Sequence, residues 1–187
     1  MPIYHQLIAL CWVALVAYWI ISAFGIKRTK VHNSHRWWFR IIVVVFVFAI
    51  FNIPALDGFT HFRVGLLPDA LSGTIGVALC AVGVAFAIWA RAHLGVNWGL
   101  PGSLKENPDL VMTGPYTYVR HPIYLGVLAA LLGTAFVAGV PWLVPLAFVS
   151  LYFFLSAHKE DTILEKQFPG EFPDYRKRTR MILPFVF

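Results

Sequence analysis

The sequence predicts an all-α integral membrane protein with five transmembrane helices and an extracytoplasmic N-terminus. Composition is the first of three observations behind this. Of the 187 residues, 59% are hydrophobic and only 13% are charged, where soluble chains average roughly 45–50% and about 25%. A soluble globule of that make-up lacks the polar surface to stay in water, and the mean hydropathy of +0.70 agrees. Second, the apolar residues fall in long blocks, near the roughly 20 residues that cross about 30 Å of hydrocarbon. Third, Lys and Arg collect on one predicted side. A cytosolic enzyme, a disulfide-stapled secreted domain and a disordered chain are thereby excluded. In a soluble protein the net charge of +6 and isoelectric point near 9.6 would suit nucleic acid. In a membrane protein, clustered base reports topology and anionic headgroups. Membrane lipids, and no nucleic acid, are the expected surroundings.

Taken in order, the first predicted span runs from Ile3 to Phe24 and contains no Lys, Arg, Asp or Glu. No basic residue precedes it, so it does not read as a signal peptide. The second runs from about Arg40 to Leu56, through the β-branched stretch Ile41 to Val47, and the third from Leu71 to about Ala92. A fourth spans Ile123 to Ala138. Gly139, Val140 and Pro141 then reverse the chain into the fifth, Trp142 to Ala157. With the N-terminus outside, the cytoplasmic pieces are residues 25–40, 91–122 and everything after 157. They hold fourteen of the fifteen Lys and Arg residues, leaving only Arg63 outside, which is the asymmetry of the positive-inside rule. Residues 1–70 thus carry two N-terminal helices with their loops. Residues 71–187 form a core of three spans, a long polar loop and a C-terminal cytoplasmic helix.

Small residues recur every four positions in the fourth span (Gly126, Ala130, Thr134, Ala138), and Gly76 and Cys80 begin a weaker stripe in the third. Such stripes let helix backbones approach closely. Cys11 and Cys80 lie inside apolar blocks without metal or redox spacing, and read as packing residues.

Polar chemistry collects in two places. The loop from Leu94 to Tyr124 is dense in Gly and Pro and cannot lie in hydrocarbon, where its backbone groups would be unpaired. Its Trp98, Tyr116, Tyr118 and Tyr124 argue for an ordered cap on the cytoplasmic mouth of the bundle. At its end Pro122 suits the first turn of the fourth helix, which puts Arg120 and His121 at a helix N-terminus. From spacing alone, these two are either headgroup-level base or part of an anion-binding site. Where the fifth helix leaves the membrane, Glu160 and Asp161 are either a solvated face or carboxylates at a pocket mouth. The tail Arg176-Lys177-Arg178-Thr179-Arg180 suits anionic headgroups. Walker, dinucleotide and nucleophile-elbow motifs are absent. His32 and His35 lack a third ligand, so no metal is expected.

Two blocks together carry a resemblance. One is Leu110-Val111, Gly114, Tyr116, Arg120-His121-Pro122, Tyr124 and Gly126. The other is Glu160-Asp161, Leu164, Phe168, Glu171 and Tyr175. In this order and spacing they resemble the isoprenylcysteine carboxyl methyltransferase family, over about residues 90–184, and Leu94-Gly95-x-Asn97-Trp98 is similar too. The resemblance implies an integral membrane enzyme using S-adenosylmethionine and no metal, with its cofactor pocket formed by the third loop and the C-terminal helix. It implies that Pro108, Asp109, Leu110, Val111 and Tyr116 wrap the adenosine part. His121, Pro122, Ile123 and Tyr124 would line the pocket, and Glu160 would meet the amino-acid end. Arg120, His121 and Asp161 would be the catalytic group, orienting the acceptor. The acceptor implied is lipophilic or membrane-accessible: a carboxylate, amine or thiol. Two departures bear on it. Ser156 stands where the prenylcysteine enzymes carry an Arg for the substrate carboxylate, and Phe168-Pro169-Gly170 replaces a Phe-Gly.

Two other classes compete. Sterol-type membrane reductases share a similar Arg-His-Pro region and use NADPH, though such chains are longer. A non-catalytic membrane protein on the same scaffold would tolerate loss of Tyr116, His121 and Glu160 together.

Overall fold

The computed structural model describes residues 2–22, 29–31, 69–98, 104–105 and 109–184. Five helices dominate these residues: α1 (Pro2–Ser22), α2 (Asp69–Leu94), α3 (Pro122–Ala138), α4 (Leu143–Gln167) and the short α5 (Phe172–Arg178). One small antiparallel pair, β1 (Thr29–Val31) with β2 (Leu104–Lys105), ties the stretch after α1 to the loop after α2. The second predicted span, Arg40 to Leu56, lies outside the described residues, as does Pro108.

The local signals explain where the helices stop. Asp69 in the first turn of α2 and Arg91 and His93 in the last complement the helix dipole. α3 begins on Pro122 and ends at Gly139, whose φ of +97° disfavours any side chain and whose N–H donates to the Ala135 carbonyl at 2.8 Å. Beyond α4, Phe168 leads into Pro169 and Gly170, which break the helix before α5.

Among the described residues, three helices are long and apolar enough to cross a bilayer: Ile3–Ser22, Asp69–Asn97 and Val140–Gln167. α3 is shorter. Its 17 residues rise about 26 Å at roughly 1.5 Å each, just under the hydrocarbon thickness. Leu10, Val13 and Ile20 on α1, and Phe148, Leu151 and Phe154 on α4, are exposed. An apolar belt of that extent fits a lipid surrounding.

α2 and α3 pack antiparallel, backbone on backbone. A Cβ on Gly83 would lie 2.6 Å from the Gly126 carbonyl oxygen, and one on Gly133 would lie 2.5 Å from both Gly76 O and Cys80 N. The two glycine pairs, seven residues apart on each helix, sharpen the predicted stripes: Gly133 makes the close approach, while Ala138 is only half-buried. Cys80 is fully buried among Ile8, Leu15, Val84, Ala87, Ala130 and Val137, with Cys11 packed against them. Thr134 ties α1 to α3, accepting from Trp12 Nε1 at 3.0 Å and donating to the Ala130 carbonyl at 2.9 Å. Arg91 is buried without a carboxylate partner among the described residues. Its guanidinium instead gathers carbonyls at two helix C-termini, Gly95 O (2.9 Å) and Ser22 O, and lies over the Trp98 ring at 4.6 Å. The negative ends of two helix dipoles stand in for a counter-ion.

Candidate functional site

The two sequence blocks meet at the end of the bundle where α2 stops and α3 starts. Gly114 opens the approach in a left-handed conformation (φ +60°), and the His93 ring fills the space a Cβ would need. After the single turn Gly114–Thr117, the chain runs beside the segment that follows α5. Val119 and Arg180 form a parallel bridge. The Arg120 N–H donates to Arg180 O at 2.8 Å, the His121 N–H to Met181 O at 3.0 Å, and the Arg180 N–H to Tyr118 O at 3.3 Å. Two buried phenols brace this arrangement: Tyr175 donates to Tyr116 O at 2.7 Å, and Tyr116 to Ala90 O at 3.3 Å. Burial pushes both phenols above their ordinary range, so both remain donors.

Arg120, His121 and Asp161 come together as one buried unit. Arg120 Nε lies 3.2 and 3.0 Å from the two Asp161 oxygens, and Nη2 lies 2.8 Å from Oδ2. Its Nη1 donates to Thr179 O at 2.8 Å. His121 Nε2 meets Asp161 Oδ1 at 3.0 Å, while Nδ1 faces Glu160 Oε2 at 3.3 Å. Tyr124 donates to Glu160 Oε1 at 2.7 Å. Its ring continues a stack, 5.4 Å from His121 and 4.2 Å from Phe153. Asp161 is buried rather than solvated, whereas the Glu160 side chain remains 23% exposed.

Electrostatics follow from these contacts. Burial by itself would lower the His121 pKa, but hydrogen bonds and charge from Asp161 and Glu160 outweigh it and raise the value to about 9. At neutral pH the ring therefore carries both protons and cannot accept one. Two basic side chains, Arg120 and His121, thus face two carboxyl groups, Asp161 and Glu160. Arg120 is engaged by Asp161 and backbone carbonyls, and presents little donor capacity outward. Only Glu160 keeps a partly open carboxylate.

Of the other predicted pocket residues, Pro122 and Tyr116 are buried, and Ile123, Leu110 and Val111 are half-buried. Asp109 is exposed, with its N–H on Asn97 Oδ1 at 3.2 Å. Tyr116 stacks on His93, whose Nε2 is 2.7 Å from Thr113 Oγ1. Spacing singled out neither Phe153 nor His93, nor the backbone partners Thr179 to Met181. Phe153 stands seven residues before Glu160, on the same helix face, and that interval was its available signal. Among the described residues, no group of three His, Cys, Asp or Glu side chains converges as a metal site.

Comparison with known proteins places the chain in a family. The family model for phospholipid methyltransferase matches residues 71–171. A cobalt-zinc-cadmium resistance protein of Cupriavidus metallidurans is 31% identical over 158 residues, covering 81% of this chain and 65% of the relative. A nickel-cobalt-cadmium resistance protein of Alcaligenes xylosoxydans xylosoxydans is 28% identical over 156 residues, covering 82% and 65%. A protein-S-isoprenylcysteine O-methyltransferase of Tribolium castaneum is 25% identical over 131 residues, covering 68% of this chain and 47% of the relative. The chain thus spans about two thirds or less of the length of the curated relatives it matches. The solved eukaryotic intramembrane Ras methyltransferase, an isoprenylcysteine carboxyl methyltransferase, superposes with a TM-score of 0.58 at 22% identity. The match covers 84% of this chain and 55% of that one. The fold is shared, and with the apolar helices it makes this chain an integral membrane protein.

Proposed function

Because this chain belongs to the phospholipid methyltransferase family, we propose that it transfers a methyl group from S-adenosylmethionine to a lipophilic or membrane-accessible acceptor. The observation that carries this reading is Glu160: a partly open carboxylate, held by Tyr124 and His121, beside an aromatic stack. An anionic group with aromatic neighbours suits a ligand bearing an ammonium and a sulfonium. When bound, S-adenosylmethionine supplies an electrophilic methyl carbon. His121, as a cation, holds Glu160 in place rather than taking a proton. Arg120 and Asp161 fix the backbone that positions His121, so the residues act mainly through alignment, which displacement at carbon rewards. Leu110, Val111 and Tyr116 would flank the adenosine.

An amine or thiol acceptor is favoured over a carboxylate. Ser156, one helical turn before Glu160, is buried and uncharged, and Arg120 is already engaged. The charge asymmetry of the sequence supports a site facing the cytoplasm. The family match favours methyl transfer over the reductase reading. Calorimetric titration of the purified full chain with S-adenosylhomocysteine tests the proposal. Glu160→Gln is expected to weaken binding by about tenfold or more, the scale of one charge-assisted contact. No binding by the parent chain, or equal binding by the variant, would overturn it. Transfer of a labelled methyl group into a panel of phospholipid amines, thiols and prenylcysteines then identifies the acceptor.

A further inference from the structure

Arg176, Lys177, Arg178 and Arg180 are all exposed, yet they belong to the stretch that hydrogen-bonds the candidate site. Their height on the bundle can be read from their neighbours. Met181 and Ile182 are buried in one cluster with Tyr124 and Ala157. On α4 the adjoining Phe154 and Leu155 are exposed and apolar. Met181 thus clusters with Ala157, just past the exposed apolar Phe154 and Leu155 and just before the exposed His158 and Lys159. There a change from apolar to polar surface suits a headgroup level, and Arg180 is the chain neighbour of Met181. Nearby carboxylates offset only part of the charge. Arg176 Nη1 is 3.4 Å from Glu165 and Lys177 Nζ is 2.9 Å from Asp174, both solvent-exposed pairs of the kind that contributes little. Arg178 reaches only the Asp174 carbonyl among the described residues. Exposed base concentrated at that level has the chemistry of a site for anionic headgroups.

The same stretch grips the site. Thr179 O accepts from the Arg120 guanidinium, Arg180 O from the Arg120 N–H and Met181 O from the His121 N–H. We propose that residues 176–180 dock on anionic phospholipid headgroups of the surrounding bilayer, and that docking steadies the pairing of Val119–His121 with Arg180–Met181. The cofactor pocket then binds more tightly in a charged bilayer than in a neutral one. The docking stands alone, while its effect on the pocket rests on the methyltransferase reading above.

The experiment uses the full chain in nanodiscs of phosphatidylcholine, with and without roughly one-third phosphatidylglycerol. Amide exchange is followed across residues 118–121 and 176–182, and S-adenosylhomocysteine affinity is measured in parallel. Wild type is expected to show slower exchange and at least about threefold tighter binding in the anionic bilayer, both lost at high salt. Lys177→Glu/Arg178→Glu, whose exposed side chains contact only Asp174 among the described residues, is expected to match wild type in the neutral bilayer and to lose the difference. Identical exchange in the two bilayers, or an undiminished difference in the charge-reversed variant, would overturn the docking. So would equal slowing by free glycerophosphate in the neutral bilayer, which would make this a site for soluble phosphate. Slowed exchange with unchanged affinity would overturn the coupling. A chain that binds no S-adenosylhomocysteine in any bilayer counts against the methyl-transfer reading, and the exchange difference still decides the docking.

Discussion

Replacing Asp161 by Asn removes one charge and almost no volume from the centre of the site. The carboxylate, 7% exposed, accepts from Arg120 Nε and Nη2 and from His121 Nε2, all within 3.2 Å. After the change, two buried cations face a single carboxylate, Glu160. Removing one partner of a buried pair costs about 3–5 kcal/mol. Asn keeps one acceptor oxygen and Arg120 keeps the Thr179 carbonyl, so the lower end, about 3 kcal/mol, is expected. That is roughly a hundredfold in the folded-to-unfolded ratio. Equilibrium unfolding in mixed micelles, followed by tryptophan fluorescence, measures it for Asp161→Asn, Arg120→Met and the double variant. Removing both partners leaves less uncompensated charge, so the double variant is expected to be about 2 kcal/mol more stable than the sum of the singles. A single-variant loss below about 1 kcal/mol, the range of exposed pairs, would refute the reasoning. Additivity within about 0.5 kcal/mol would do the same.

Two further predictions use the same unfolding measurement. Gly133→Ala places a Cβ 2.5 Å from backbone atoms of Gly76 and Cys80 and is expected to cost about 1–3 kcal/mol. Gly170→Ala, with nothing within 4 Å, is expected to change stability by less than about 0.5 kcal/mol, and equal losses at the two sites would deny the close helix approach. His121 gains proton affinity on folding, from 6.5 to about 9. Its contribution, on the order of 3 kcal/mol, is therefore complete below pH 6.5 and disappears as pH rises through 9, and a flat profile between pH 6 and 10 would contradict the charged ring.

The sequence made the helices legible because lipid leaves few alternatives: an uncharged block must satisfy its own backbone, and only a helix does so locally. The predicted spans at Ile3, Leu71, Ile123 and Trp142 accordingly lie within a few residues of α1 to α4, α4 running on through Gln167. Less could be read at the polar end. Spacing places Asp161 one residue after Glu160, but only the fold reveals that Asp161 turns inward to Arg120 while Glu160 stays partly open. The partners of Arg120 and His121 include carbonyls of Thr179, Arg180 and Met181. Every residue has a carbonyl, so side-chain pattern carries no trace of such pairing. The small-residue stripe was visible at Gly126 and Ala130, but its seven-residue beat through Gly133 depends on which face meets α2.

The paired glycines also work as a key cut for one lock. Sliding α3 along α2 by a single residue, about 1.5 Å, would drive a side chain into a carbonyl at two levels at once. Ala90, whose carbonyl anchors Tyr116, lies on one of these helices, and His121 caps the other. Their relative height is thus set by hard contact between main chains rather than by adaptable side chains. Lipid-facing positions can change freely around that key, because none of them holds the gauge.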